Sequence, residues 1–211
     1  MRLLKMIVNI KRRKQIDEFI DNPHYDVATE YDELLDSVLL KDQVIKRLNA
    51  LLNKDPYYFD TYYYLAQIYS EDGNFILARK ILRKGYELAV KKIVNFRGEF
   101  PKRMEWLWLE NRHLIRIINN WALFLWKEGK TEDALEIFRR LIRCNPNDNI
   151  GARYNILAIR MNIDPEFESD LISADPEFID AEIIDEWFHK NATSYPDEFF
   201  WWFKWEKNCR D

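Results

Sequence analysis

The sequence predicts an all-α fold, in which helix–turn–helix units stack into a solenoid that ends in a helical C-terminal cap. Apolar residues recur at helical spacing along most of the chain. The 211 residues include only 5 glycines and 7 prolines, so few turns interrupt the helices. Because a single helical hairpin leaves its apolar face uncovered, repeated hairpins are expected to stack. A repeat is visible at a separation of 56 positions, in the pairs Ala66 and Ala122, Gly73 and Gly129, and Ala78 and Ala134.

Each copy of the repeat has the pattern of two helices joined by a glycine turn. The first copy contains Tyr62-x2-Leu65-Ala66-x2-Tyr69, Gly73 and Ala78-x3-Leu82. The second contains Ile118-x2-Trp121-Ala122-x2-Leu125, Gly129, Ala134-x3-Phe138 and Pro146. The pattern resembles the unit of the tetratricopeptide repeat (TPR) superfamily, W-x2-L-G-x2-Y…A-x3-F…P. The resemblance implies a TPR-like, right-handed α–α superhelix, whose first helices line a concave groove that binds a peptide segment of a partner protein.

The separation between the two copies indicates an insertion. It exceeds the TPR repeat of about 34 residues by about 22. We place the extra residues at about 91–114, where Asn95, Gly98 and Pro101 interrupt the helical spacing. Two conformations stay open: a loop, or a longer second helix followed by a return segment. The tract Met104–Leu109 is too apolar for a free linker, so we expect it to pack on the solenoid.

The whole chain, 1–211, is predicted to form one domain in three parts. Residues 1–56 form a degenerate N-terminal cap repeat, with helices expected near 28–38 and over 44–52. Residues 57–161 contain the TPR units, and a helix at 149–161 begins a further half unit. Residues 162–211 form the C-terminal helical cap, because Asp175-Pro176 and Tyr195-Pro196 each place a proline at the start of an apolar helical pattern.

A second, narrower resemblance lies at the end of the repeats. Its strings are similar to those of TPR-like proteins, both bacterial stand-alone ones and the eukaryotic suppressor-of-tumorigenicity-7 family, and the match implies no enzymatic activity. The strings are Trp106-x3-Glu110-Asn111-Arg112, Trp121-Ala122-Leu123 and Asn145-Pro146-Asn147-Asp148-Asn149-x-Gly151-x-Arg153-Tyr154. Asn147 or Asp148 is expected to cap the following helix. Arg153 either pairs with Glu110 or another internal carboxylate, or binds a ligand.

The first helices of the units supply the candidate binding residues. Their arginines and amides suit an acidic or C-terminal peptide, through carboxylate pairs and hydrogen bonds to peptide backbone. The candidates are Tyr63, Gln67, Arg116, Asn119, Leu123, Trp126, Arg153, Leu157 and Arg160. Tyr63 and Gln67 stand where the chaperone-binding clamp of TPR proteins would have Lys and Asn, so heat-shock protein tails are not expected ligands. The alternative is a solvated polar groove without a specific ligand.

The C-terminal helix is unusually aromatic. Six of the seven residues 199–205 are Phe or Trp, so both faces of the helix are apolar. Such a helix must be covered, either by the solenoid that it caps or by a second molecule. The second possibility predicts a homo-oligomer that associates through Phe199, Trp201, Trp202 and Trp205.

Composition and motifs exclude several classes of function. The formal charge is −4 and the pI about 5.6, so a nucleic-acid partner is not expected, and the basic run Lys11–Lys14 is interpreted as a solvated helix start. No apolar run matches a signal peptide or a membrane span, so we predict a cytoplasmic protein without a membrane partner. Cys144 and Cys209 are too few for a zinc site.

Catalysis has little support in the sequence. His24, His113 and His189 are isolated from one another, and no phosphate-binding glycine loop occurs. We therefore predict no catalytic residue, no metal and no cofactor. The predicted function is a protein–protein interaction scaffold, with self-association through the aromatic helix as the alternative.

Overall fold

The computed structural model describes residues 17–167 and 181–210, and within these ranges the chain is all-α, as predicted. The helices are α1 (Tyr25–Leu35), α2 (Lys41–Lys54), α3 (Asp60–Glu71), α4 (Phe75–Ile93), α5 (Leu109–Lys127), α6 (Thr131–Cys144), α7 (Ala152–Arg160), α8 (Ala181–Ala192) and α9 (Pro196–Arg210). The described residues contain one isolated bridge of the strand type, between Glu18 and Arg103. The predicted helix start at Asp175-Pro176 and the basic run Lys11–Lys14 lie outside the described residues.

Two helical hairpins form the centre of the molecule, α3 with α4 and α5 with α6, and α4 packs on α5 between them. Gly73 and Gly129 end the first helix of each hairpin with φ values of +72° and +76°. Residues with a Cβ rarely adopt that conformation, so glycine allows the sharp reversal of the chain. The four repeated alanines are buried where the helices cross.

A fifth small residue, which the repeat pattern did not reveal, sets the spacing of these helices. Gly85 is buried in α4, and a Cβ on it would lie 2.9 Å from the Cβ of Tyr62 in α3. It would also lie 3.1 Å from the side chain of Ile117 in α5. Because the Cβ of Tyr62 is fixed to its backbone, α3 and α4 approach this closely only where one of them lacks a side chain.

The insertion adopts the second conformation that the sequence left open, a longer second helix followed by a return segment. Helix α4 extends to Ile93, α5 begins at Leu109, and the residues between them form a return segment. Met104 is fully buried, and its N–H donates to the carbonyl of Cys144 at 2.7 Å. Trp106 also packs on the main core, so the tract packs on the helices as expected at these two residues, whereas Leu107 and Leu109 are exposed. The backbone hydrogen bond of Met104 fastens the return segment to the end of α6.

The first two and the last two described helices pack against the central hairpins. Helices α1 and α2 share a smaller core with α3, and Leu52, Tyr69 and Ile81 contact both cores. At the other end, Phe188 of α8 and Phe199 of α9 are buried in the main core. The described helices include none with the length and apolar character needed to cross a membrane. The proposed division into three parts stays a prediction.

Candidate functional site

A groove runs between the first helices of the two hairpins. Three of the predicted groove residues, Tyr63 and Gln67 of α3 and Leu123 of α5, line one pocket of about 240 Å³ there. The remaining lining residues are Ala66, Ser70, Glu71, Ala78, Leu82, Asn120, Phe124 and Lys127. The alanines that allow the helices to cross closely also leave this space open. We call it the α3–α5 groove.

The α3–α5 groove has an apolar floor and a polar rim. Ala66, Ala78 and Leu82 are buried and form the floor, while Leu123 and Phe124 are half-buried. On the rim, Gln67 donates to Glu71 at 3.1 Å, and Lys127 lies 3.2 Å from a carboxylate oxygen of Glu166. The rim groups are exposed, so they can exchange these contacts for hydrogen bonds to a bound peptide backbone.

Arg116 forms an internal ion pair. Its Nε donates to Asp60 Oδ1 at 2.8 Å, and a second guanidinium nitrogen contacts Asp60 Oδ2. Asp60 begins α3 and lies 56 positions before Arg116, so equivalent positions of the two repeat copies bind each other. Burial opposes the charge on Arg116, but the hydrogen bond to Asp60 raises the pKa of the guanidinium. Arg116 therefore neutralises the buried Asp60 carboxylate.

The two other candidate arginines also have internal partners. Arg153 contacts Asp148 Oδ2 at 3.1 Å and Asp185 Oδ1 of α8 at 2.9 Å. Arg160 contacts the carboxylates of Asp197 and Glu198 in α9 at 2.9 and 2.8 Å. The C-terminal helices thus occupy the side of α7 that a peptide was expected to contact. The pairing of Arg153 with an internal carboxylate is present, although Glu110 is not the partner.

The remaining candidates are buried. Asn119, Trp126 and Leu157 lie in the core, and the ring of Phe167 packs 6.1 Å from that of Trp126. Whether any candidate contacts a partner stays a prediction, but Tyr63, Gln67 and Leu123 share one open pocket.

Asp148 caps α7. Its two carboxylate oxygens accept the backbone N–H groups of Ala152 and Arg153, each at 2.8 Å. Gly151 precedes the helix with a φ of +76° and allows the chain to turn into it. Of the two capping residues that the sequence left open, the structure selects Asp148.

A cluster of ionisable groups joins the segment before α1 to α4 and α5, and the sequence analysis did not predict it. Asp21 is buried beneath α4 and α5, where Lys92 Nζ lies 2.5 Å from its Oδ1. His113 Nε2 and His24 Nε2 approach its Oδ2 to 3.2 and 3.6 Å. On its other side, His24 Nδ1 lies 2.5 Å from Asp55 Oδ2. We call these five residues the ionic hub.

The arrangement of the ionic hub raises the possibility of a metal site. The ligand atoms of Asp21, His24 and His113 lie within 4.8 Å of one another, and none of the three atoms has a well-directed hydrogen bond within the described residues. However, His113 Nδ1 accepts the backbone N–H of Phe59 at 3.0 Å, so the proton of the neutral ring must be on Nε2. A metal-binding histidine instead donates its second N–H and leaves the first nitrogen free. The hub therefore favours protons over a metal ion.

Protonation in the hub follows from burial and charge. Burial opposes ionisation of Asp21, but its close contacts with His113, His24 and Lys92 lower the pKa of its carboxyl. The contact with Asp21 raises the pKa of His24, whereas burial lowers the pKa of His113. His24 is thus a charged link between two carboxylates, and His113 is a neutral donor. The hub fastens the segment before α1 to α4 and α5.

Comparison with known proteins decides the family. The sequence matches the family described as transcriptional repressor TCF25 over residues 26–163, which are 138 of the 211 residues. The chain belongs to the TCF25 family. No curated protein and no solved structure is detectably similar to it.

Membership of the TCF25 family corrects the assignment made from the repeat pattern. The TPR superfamily and the narrower suppressor-of-tumorigenicity-7-like resemblance are both wrong, because the matching family is neither of these. The pattern misled for a physical reason: any stacked helical hairpins need small residues where helices cross and a glycine at the turn. The separation of 56 positions between the two repeat copies, longer than the TPR unit of about 34 residues, is the feature of the sequence that differs from a TPR protein. The TCF25 match covers α1 to α7, and so contains the α3–α5 groove and most of the ionic hub.

Proposed function

We propose that the chain is a protein-interaction module that binds a segment of a partner protein in the α3–α5 groove. The observation that supports this proposal is that Tyr63, Gln67 and Leu123, which the sequence predicts to face a groove, line one pocket with an apolar floor. A pocket of this size suits one large apolar side chain, and apolar anchors in pockets commonly dominate the affinity of such interactions.

The side chains that line the α3–α5 groove favour one kind of partner segment. Its floor carries no charge, and the amides of Gln67 and Asn120 and the hydroxyl of Ser70 lie among its lining groups. These groups suit a partner segment that inserts one apolar side chain and offers its backbone to the rim. Recognition of an acidic peptide by Arg116, Arg153 and Arg160 has less support, since each arginine already faces a carboxylate of this chain.

The family description bears on the kind of partner and on the location of the chain in the cell. Since the family is described as a transcriptional repressor, we propose that the partner belongs to the transcription apparatus and that the chain acts in the nucleus. The cytoplasmic location is the alternative.

Self-association through α9 is the second candidate function, and its support is now narrow. Phe199 and Trp202 are buried in the chain's own core, and the guanidinium carbon of Arg143 lies 3.9 Å from the ring centre of Trp201. Among the large apolar residues of α9, Phe200 is the one with high exposure, at 71%. One ring is a small surface for a stable dimer.

The groove can be tested by site-specific cross-linking. A photo-reactive benzoyl-phenylalanine replaces Gln67 on the groove rim, and in the control it replaces Asn53, which is exposed on α2 away from the groove. We expect a partner segment to cross-link at position 67 only. A synthetic peptide of that segment should then bind the wild-type chain at least tenfold more tightly than Leu123→Glu, about 1.4 kcal/mol.

Two results would contradict the proposal: identical cross-links from positions 67 and 53, or a peptide that binds Leu123→Glu as tightly as the wild type. Reversing the charge of Arg116 or Arg153 is a poorer test, because it would place like charges beside Asp60 or Asp148 and disturb the fold.

A further inference from the structure

The outer surface of the second helices carries a cleft that neither the groove nor the hub uses. The loop over residues 97–102 and α6 enclose about 630 Å³. The charged residues of this cleft are Arg97, Lys102, Arg139, Arg140 and Arg143, with Glu99 and Glu136. An adjoining cleft of about 450 Å³ between α4 and α6 shares Arg140 and Glu136. It adds Arg79, Arg83 and Lys130, with Glu87 and Asp133. We call the two clefts together the basic face.

The basic face has a positive formal charge, whereas the whole chain has a negative one. Its lining residues comprise eight cations and four carboxylates, a formal charge of +4, and three further carboxylates (Asp17, Glu128 and Glu198) pair with lining cations from beside the clefts. The complete chain has a formal charge of −4, so all other residues together carry −8. Such separation of charge creates a local field that attracts polyanions even when the net charge is negative.

Two arginines of the basic face are available to a ligand. Among the described residues, no carboxylate lies within ion-pair distance of the Arg97 or Arg143 guanidinium, in contrast to Arg116, Arg153 and Arg160. Each is held against an aromatic ring instead: Arg143 lies 3.9 Å from the ring centre of Trp201, and Arg97 lies 5.3 Å from that of Phe96. A cation–π contact of this kind restrains a guanidinium without using a carboxylate, so its N–H groups can still bind an anion.

Of the other cations of the first cleft, Arg139 pairs with the buried Glu198, whereas Lys102 and Arg140 pair with exposed partners. Lys102 lies 2.7 Å from Asp17, and Arg140 Nε donates to Glu136 at 2.9 Å. Exposed pairs of this kind contribute little free energy, so a ligand with several negative charges can replace them.

The chemistry of these groups distinguishes between polyanions. A guanidinium fork binds two oxygens of one phosphate, and its plane also stacks on nucleobases. The half-buried ring of Tyr86 lines the second cleft and adds an aromatic surface. Carboxylates of an acidic peptide would use the charges, but not the planar surfaces. A row of phosphates with bases between them uses both.

We propose that the basic face binds single-stranded nucleic acid, with its phosphates on Arg97 and Arg143 and its backbone following the cations of α6 toward α4. This proposal is separate from peptide binding in the α3–α5 groove. It also reverses the expectation from net charge that no nucleic acid binds.

Fluorescence anisotropy of the full chain tests the proposal directly. The probes are single-stranded RNA and DNA of about 12 nucleotides, duplex RNA of equal length, and a polyglutamate peptide of equal charge. The variant Arg97→Gln/Arg143→Gln removes the two available guanidiniums. The matched control Lys46→Gln/Arg47→Gln removes the same charge from exposed positions of α2. Circular dichroism verifies that both variants are folded.

We expect the wild type and the α2 control to bind the single strands alike, and the Arg97/Arg143 variant to bind them about tenfold more weakly at low salt. Loss of two phosphate contacts should also reduce the slope of log K against log salt by about 1.4. Tighter binding of RNA than of DNA would identify RNA as the ligand, and equal binding would assign single strands in general.

Three outcomes would overturn the proposal. The first is that no single strand binds at low salt. The second is equal weakening in both variants, which would show non-specific attraction. The third is polyglutamate binding as tight as that of the single strands, which would assign the basic face to an acidic protein.

Discussion

The two ends of the described chain are fastened to the same central hairpins by different chemistry. The segment before α1 is held by the ionic hub, in which Asp21 is buried among Lys92, His24 and His113. The core of the C-terminal cap is aromatic: Phe188 of α8 is fully buried, with ring centres 5.0 Å from Phe199 and 5.3 Å from Trp202, and the arginine–carboxylate pairs of the cap lie around it.

The difference shows what each kind of junction depends on. A buried ionic junction is stable only while every charge has its partner, so the loss of one group leaves another without compensation. An aromatic junction depends on volume and contact area and is insensitive to protonation. The N-terminal junction should therefore respond strongly to single charge changes and more weakly to pH, and the C-terminal junction should respond to changes of shape.

Removal of the central carboxylate should have the largest effect. Asp21→Ala leaves the ammonium of Lys92 facing two imidazoles beneath α4 and α5. We expect a loss of about 3–5 kcal/mol in the free energy of unfolding, measured with urea. Asp32→Ala, at an exposed position of α1, is the control and should change the value by less than about 0.5 kcal/mol. A loss below about 1 kcal/mol for Asp21→Ala would show that the hub is solvated in solution.

A change of shape at the aromatic junction should rank second. Phe188→Leu replaces a ring that contacts Tyr154, Phe199 and Trp202 with a smaller aliphatic side chain. We expect a loss of about 1–2 kcal/mol that is equal at pH 5 and pH 8, because no titrating group is replaced. The matched control is Phe200→Leu, since Phe200 is exposed. If the loss for Phe188→Leu varied with pH, the contrast between the two junctions would fail.

One of the paired carboxylates of the cap allows the effect of the partners' burial to be separated from that of charge. Glu198 lies between Arg139 and Arg160, at 2.5 and 2.8 Å, and both arginines are partly exposed. Glu198→Gln should cost about 1 kcal/mol, less than Asp21→Ala, because water can hydrate the released guanidiniums. Glu186→Gln on the exposed side of α8 provides the baseline. An equal cost for Glu198→Gln and Asp21→Ala would argue against burial as the cause of the difference.

The helices and their turns were predictable because they depend on local sequence. The spacing of apolar residues, Gly73 and Gly129 predicted both central hairpins, and Pro196 marked the start of α9. The family was not predictable from these features, since they belong to stacked helices in general.

Long-range pairing was the part that the sequence could not supply. His24 and His113 are 89 positions apart, and no spacing rule relates them, so both were interpreted as isolated. The carboxylate partners of Arg153 and Arg160 depend on where α8 and α9 dock, which local patterns do not determine. Tyr63, Gln67 and Leu123 were chosen from the repeat register, and they line one pocket because they lie on facing sides of α3 and α5; their role in binding stays a prediction.

The pH dependence of stability is the smallest effect and the most specific to the hub. Since the pKa of His24 is raised above its ordinary 6.5, its contribution is complete below pH 6.5 and is lost as the pH rises through the folded-state pKa. Burial lowers the pKa of His113 below 6.5 in the folded chain. As the pH falls below 6.5, the unfolded chain binds a proton at this histidine before the folded chain does, so the folded state loses stability. Asp21 and Asp55 have lowered pKa values and stay ionised throughout this range.

The hub's contribution should therefore peak near pH 6.5. Urea midpoints measured between about pH 5 and pH 8 test this, because the two histidines act on opposite sides of the maximum. His24→Gln should remove the decline above the maximum and keep the decline below it, whereas His113→Gln should do the reverse. The shape of each plot of urea midpoint against pH reports the titration of the histidines. A loss of stability that is the same at every pH shifts the plot without changing its shape. Curves of unchanged shape in both variants would mean that the titration arises elsewhere, and that the N-terminal junction is ionic without being sensitive to pH.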